Sequence, residues 1–154
     1  MSDPLSEILR LVRLTSSVYF LHDMKAPWSM RIDKGPHAVF HLVAAGRCKV
    51  ITGAGTIEAE TGDVVVFPRG DDHELASEPG APRSRPGLEV VQAIHGGQEP
   101  FDGDGPATRL LCGHFSYDAD LGSTVFDGLP DCVHVRAFDR MAFAWRQRRA
   151  PARA

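Results

Sequence analysis

Residues Gly62 to Ser77 read Gly-Asp-Val-Val-Val-Phe-Pro-Arg-Gly-Asp-Asp-His-Glu-Leu-Ala-Ser. Asp63 to Phe67 form a short apolar run bounded by turn residues, which reads as a buried strand. Pro68-Arg69-Gly70 then turns the chain, because proline presets φ and glycine accepts left-handed backbone angles. His73 opens the next strand, so a rigid corner delivers its imidazole to a fixed place. At background glycine and proline frequencies, Gly62-x5-Pro68-x-Gly70 arises at ~2 in 10,000 starts, so the spacing is a signal rather than chance.

Outward from this corner the chain punctuates itself in the same way. Short β-rich runs are predicted at Val18–His22, Ser29–Ile32, Ala38–Ala44, Cys48–Thr52, Ile57–Glu60, Val64–Phe67, His73–Leu75, Val90–Ile94 and Arg109–Tyr117. Gly53-Ala54-Gly55 reads as a hairpin turn, and 79–87 and 96–106 read as loops rich in Gly and Pro. Many short, closely spaced strands predict an all-β sandwich or barrel rather than a βαβ sheet. At the amino end Asp3 and Pro4 cap a short amphipathic helix with Leu5, Ile8, Leu9 and Val12 at helical spacing. Toward the other end, Val125–Leu129 reads as a brief helix and Val133–Val135 as extended chain. Phe138–Trp145 is apolar enough for a final helix or a partner contact.

At 154 residues the chain has the length of one domain, enough to bury about 68–70% of its unfolded surface. Hydrophobic content of 43% and charged content of 24% are those of a globular protein. A net charge of −3 provides no global field that draws nucleic acid. The segment from Arg140 to Ala154 carries five Arg and no acid, which reads as a solvated basic tail. No signal peptide and no run long enough to span a bilayer are visible. Three unpaired cysteines, Cys48, Cys112 and Cys132, predict a reduced, cytoplasmic protein.

The corner resembles the second motif of the cupin family: Gly, five residues, Pro, one residue, Gly, two residues, His. Ser77 stands where that family usually has Asn. The resemblance implies an antiparallel β-barrel or jelly roll with His73 as a metal ligand. The first cupin motif, two His and a Glu ending in Gly, aligns with the segment ending at Gly46. Val39 then takes the Glu position, and Ile32 to Gly35 fall near the His pair, so the usual ligands are absent. Four segments join the corner in order: Asp3 to Arg13, Ala26-Pro27-Trp28, Phe40 to Cys48, and Thr108 to Phe115. Together they resemble the amino-terminal cupin domain of AraC-type transcriptional regulators. The resemblance implies a cupin domain over residues 1–136, with 137–154 as a carboxyl-terminal segment and basic tail. The helix-turn-helix motifs of that family are not expected within this chain.

Strand parity carries the site further. If Val39 occupies the inward cupin position, His41 points inward too. His73 follows from the corner, and Cys112 and His114 share one face of a later strand. Thiolate and imidazole suit a borderline metal, zinc first. The expected metal site is therefore His41, His73, Cys112 and His114, and the plainer reading of each is a buried, hydrogen-bonded core residue. Trp28, Phe40, Phe67 and Phe115 are the expected pocket aromatics, with simple core packing as the other reading. His37 is expected to be exposed, and His22, His95 and His134 show no partner.

The resemblance implies a regulatory domain: a ligand-sensing, dimerising cupin that takes a small-molecule effector and lacks the DNA-binding half. The alternative is a small metal-dependent cupin enzyme, a dioxygenase or isomerase. A non-enzymatic homodimer, with no sequence-specific DNA binding by this chain alone and no membrane partner, is the first expectation.

Overall fold

The computed structural model describes residues 15–78, 81, 84–116 and 127–137. Among these, the strands are β1 (Thr15–Lys25), β2 (Ser29–Ile32), β3 (Ala38–Ala45), β4 (Arg47–Thr52), β5 (Gly55–Glu60), β6 (Val64–Phe67), β7 (His73–Ala76), β8 (Ser84–Pro86), β9 (Ala107–Ser116) and β10 (Val133–Val135). One helix, α1 (Gly87–His95), lies between β8 and β9. The expected helix at Leu5–Val12, the segment Phe138–Trp145 and the arginine-bearing tail fall outside the described residues. So does the start of the expected helix at Val125–Leu129, whose described part, Asp127 to Leu129, is turn and bend. No helix among the described residues is long and apolar enough to cross a membrane.

The strands form two five-stranded sheets, β1-β9-β3-β6-β10 and β5-β4-β7-β2-β8, rather than one continuous ring. Pairing is antiparallel except between β2 and β8. Alternation places one set of side chains between the sheets: Phe20 and Met24 from β1, Val39 and Val43 from β3, Cys48 and Val50 from β4, Val65 and Phe67 from β6. Trp28, Met30, Leu75 and Leu110 complete the centre of this core and are essentially inaccessible to water. Each side chain of this size contributes about 1.5–3 kcal/mol on burial.

One predicted strand is a helix. Val90–Ile94 lies inside α1, although its β-branched residues favour extended chain. The deciding pattern is Gly87, Val90, Val91 and Ile94, spaced at i, i+3, i+4 and i+7, all buried or half-buried. Pro86 precedes the first turn, Glu89 sits within it, and Gly96 ends the helix. Helical burial of four small or branched residues outweighs the strand preference of two valines.

The corner after β6 carries the chain from one sheet to the other. Gly70 donates its N–H to the Phe67 carbonyl at 3.0 Å, and its own carbonyl accepts the Gly35 N–H at 3.1 Å. At φ +67°, Gly70 occupies left-handed space that other residues reach only with strain. A Cβ there would meet the His37 carbonyl oxygen at 2.4 Å and the Gly35 carbonyl oxygen at 2.6 Å. Both obstacles are backbone, so they cannot swing aside. Downstream, Ser77 accepts the Trp28 N–H through its hydroxyl at 3.1 Å and gives its own N–H to the Trp28 carbonyl at 2.9 Å. The serine thereby pins the end of β7 to the β1–β2 connection. Gly70→Ala should lower unfolding stability by about 1–3 kcal/mol, from φ strain plus the backbone clash. Urea denaturation measures this; an unchanged midpoint would show that the corner rearranges freely.

Candidate functional site

His41 and Cys112 are direct cross-strand partners on β3 and β9, and His73 approaches from the first residue of β7 in the opposite sheet. All three are buried. The His41 Nδ1 atom lies 3.0 Å from Cys112 Sγ, and His41 Nε2 lies 2.8 Å from His73 Nε2. His73 Nδ1 lies 2.8 Å from the carbonyl oxygen of Asp71. The Phe67 ring stacks on the His73 ring, with centroids 3.6 Å apart and planes within 6°.

The proton positions follow from donors and acceptors. A backbone carbonyl only accepts, so His73 Nδ1 carries the hydrogen. In the neutral ring, His73 Nε2 is then a lone pair, and His41 Nε2 must donate to it. His41 Nδ1 is left as an acceptor, and the Cys112 thiol donates to it. The chain therefore runs one way: Cys112 S–H to His41, His41 to His73, His73 to Asp71.

Neutrality of the three groups has a physical cause. Burial holds His41 well below the usual imidazole range, with a further push from His73. Burial brings His73 down to about 4, against the opposing pull of the Asp71 carbonyl and the Asp72 and Asp71 charges. Burial also drives the Cys112 thiol well above its usual range, with a contribution from Cys48. Thiolate is the reactive form of cysteine. A thiol held protonated next to a neutral imidazole is not an activated nucleophile.

The same geometry tests the expected metal. Cys112 and His73 engage opposite nitrogens of the His41 ring, so the three donors cannot converge on one ion. His114 stands two residues further along β9, opposite Val39 and Ser17. There it stacks on His37, with centroids 4.7 Å apart, and leans against Tyr19 at 5.1 Å. Among the described residues, no group of three or more His, Cys, Asp or Glu is arranged to hold a metal ion. The expected set of His41, His73, Cys112 and His114 therefore divides into a hydrogen-bonded trio and a stacked histidine at the sheet end. The donors present do not fit a shared zinc.

A cavity of about 350 Å³ opens above His41 and Cys112. Its walls come from β1, β2, β3 and the first turns of α1, with Tyr19, Met30, Ile32, Val39 and Val91 among the lining residues. Arg31 and Asp33, an exposed pair 3.5 Å apart, lie at its rim with His37. None of the four expected pocket aromatics lines it. Trp28 and Phe67 are core, Trp28 packing on Phe101 at 6.2 Å. Phe40 and Phe115 stack on each other at 4.7 Å, and neither joins the residues that fill the space between the sheets. Alternation already separates them from this cavity: the parity that turns His41 and Cys112 inward turns Phe40 and Phe115 outward. The true lining residues Met30 and Ile32 share one face of β2, and Val91 lies on α1. The β-branched run Val90-Val91 masks the helical period that brings the last of these to the cavity.

Three histidines without visible partners acquire them in the fold. His22 pairs with Glu99 at 3.0 Å, and His95 bonds the Tyr19 carbonyl at 2.6 Å. His134 bonds Asp63 at 2.9 Å. Burial opposes the charge on Asp63, but the Ala137 and Glu60 amides and His134 outweigh it and hold the carboxyl below its usual range. These contacts are spread around the sandwich and bind it together.

Burial of neutral histidine sets the pH response. An unfolded histidine titrates near 6.5, whereas folded His73 titrates at about 4 and His41 is also depressed. Between those values the unfolded chain holds more protons, so stability rises with pH. The contribution is complete above the unfolded value and is lost as pH falls through about 6.5 toward about 4. His73 alone accounts for on the order of 3 kcal/mol across that window. Asp63, with its lowered carboxyl, loses its contribution only at more acid pH. His73→Phe should therefore flatten the slope of stability between about pH 7 and about pH 5. Equal slopes for wild type and variant in urea unfolding would rule out neutral burial.

Comparison with known proteins agrees with the geometry at the level of the fold. No curated protein matches the chain at a significant level. A family model described as Cupin matches residues 3–148, nearly the whole sequence. Together with the two-sheet core and the glycine-proline corner that delivers His73, this match establishes that the chain belongs to the cupin family.

Proposed function

We propose that this cupin is a ligand-sensing and dimerising domain of the kind found at the amino terminus of AraC-type regulators. The observation that carries the reading is the 350 Å³ cavity with His41 and Cys112 at its floor. Its walls are mainly apolar, as in small-molecule sites generally. Its buried polar groups are neutral and mutually hydrogen-bonded, an arrangement suited to recognising a molecule rather than transforming it. The order of segments from Asp3 to Phe115 supports the AraC-type assignment by resemblance. A metal-dependent dioxygenase or isomerase would need three donors around an open position, and the histidine-thiol trio does not present them.

Self-association is part of the same reading. Val18 and Leu21 stand exposed on β1, an edge strand of its sheet, and apolar side chains at a sheet edge favour a partner surface. A twofold dimer is the expected assembly. Specific DNA recognition needs a groove-entering element and phosphate contacts, so the domain alone is expected to bind no preferred sequence. The expected setting is cytoplasmic, where Cys48, Cys112 and Cys132 stay free.

A bound effector should raise the melting temperature by mass action, the shift growing with ligand concentration. Val91→Trp, which fills the cavity from α1, should abolish that shift while leaving the fold intact by circular dichroism. A screen in which every stabilising compound acts equally on wild type and Val91→Trp would refute binding in this cavity. Light scattering should report a dimer, and a gel-shift assay at physiological salt should show no preferred DNA sequence. A strict monomer, or tight binding to one sequence, would overturn the corresponding half of the reading.

A further inference from the structure

The floor of the cavity has a fixed hydrogen-bonding sense, set from outside the cavity. The Asp71 carbonyl forces His73 to donate through Nδ1, and the two short contacts behind it force His41 Nδ1 to be an acceptor. The present donor to that nitrogen is the Cys112 thiol, and S–H is a weak donor. His41 and Cys112 both line the cavity. A ligand O–H or N–H reaching the floor meets a strong imidazole acceptor occupied by a weak competitor. At the floor itself a ligand that only accepts meets no uncommitted donor from His41 or Cys112, because the thiol hydrogen is already committed and the His41 Nε2 hydrogen is turned to His73.

The geometry points to a ligand class: an uncharged, largely apolar molecule carrying one O–H or N–H donor, which displaces the Cys112 thiol hydrogen from His41 Nδ1. The inference rests on reading the cavity as a ligand site and deepens it. The class has two requirements, each with its own origin. An apolar body follows from walls such as Met30, Ile32, Val39 and Val91. A donor, rather than an acceptor or a carboxylate, follows from the direction of the chain and from the absence of a countercharge among the floor residues. The displacement is a change of hydrogen-bond partner: the thiol keeps its proton and turns away, and no covalent bond is made or broken.

Indole and benzofuran are near-isosteres that differ in presenting an N–H donor or a ring oxygen, so they isolate the rule. Titration of the wild-type protein with each, followed by ligand-observed NMR, should give indole an affinity about five- to tenfold higher. In Cys112→Ala the weak competitor is gone, and the indole-to-benzofuran ratio should rise further. In His41→Phe, which keeps a ring but removes the acceptor, the ratio should fall to about one. Retention of the native near-ultraviolet circular dichroism identifies variants that have kept the fold. The wild-type ratio decides the question even if a variant does not fold. Equal binding of the two compounds to wild type would overturn the donor rule while leaving the cavity a ligand site. Binding of neither compound would overturn this ligand class. If no other compound acts through the cavity in the Val91→Trp comparison, the ligand-site reading falls as well.

Discussion

The carbonyl oxygen of Asp71 can accept a hydrogen bond and cannot give one, and from that restriction the state of the protein's centre follows. His73 must present its lone pair toward the other sheet, His41 must donate to it, and Cys112 must donate to His41. The two sheets are thereby joined by polar contacts in the middle of an apolar core, at a place where an unpaired imidazole would be costly. Every hydrogen in the trio has a partner without any group becoming charged. At His73 burial outweighs the opposing pull of the Asp71 carbonyl, and the ring stays neutral.

That arrangement depends on the corner before it. Phe67 ends β6 in one sheet and His73 begins β7 in the other, and the Pro68–Gly70 turn must bring them close enough to stack. Gly70 reaches the required backbone angle and lets the Gly35–His37 strand connection lie against it. The same connection forms the rim of the cavity. Local backbone geometry at one glycine thus fixes both the histidine that sets the floor and the loop that borders the opening. Arg69 closes the outside of the corner by bonding the Leu129 carbonyl at 2.9 Å, tying it to the approach to β10.

Most of the strands were legible because their signals were local. Gly62, Pro68 and Gly70 announced the corner, and the alternation through Val39, His41 and Val43 announced which face of β3 is buried. The inward placement of His41, His73 and Cys112 follows from parity and the corner together. What parity cannot provide is distance along a strand: Cys112 and His114 share a face, but the register places only Cys112 opposite His41. Two residues of strand, about 6.6 Å, separate the hydrogen bond of Cys112 with His41 from the stacking of His114 on His37. Nor can parity show that one imidazole will be used on both edges, which is what prevents the trio from converging on a metal. Size and apolarity alone do not mark a wall of this cavity: Phe40 and Phe115 sit on the opposite parity from His41 and Cys112, which line it. Helix α1 was hidden by the valines in its middle, although Gly87, Val90, Val91 and Ile94 already carried a helical period.

The electrostatic character of the site bears on what kind of selectivity a cupin with these residues can exercise. A cluster of metal ligands or a buried cation would favour anionic ligands through charge, an interaction that acts at range and tolerates imprecise placement. The floor formed by His41 and Cys112 carries no charge, and the ion pair at the rim, Arg31 with Asp33, stands in water where its field is screened. A carboxylate drawn to this floor would surrender its hydration with no countercharge from His41 or Cys112. Any discrimination among ligands in this cavity would then rest on shape and on the direction of a hydrogen bond. Direction is the more demanding of the two, because reversing it would require His73 to become a cation next to a buried aromatic ring. The hydrogen-bonding sense of His41 is accordingly fixed by a backbone carbonyl that lies one side chain, His73, behind it.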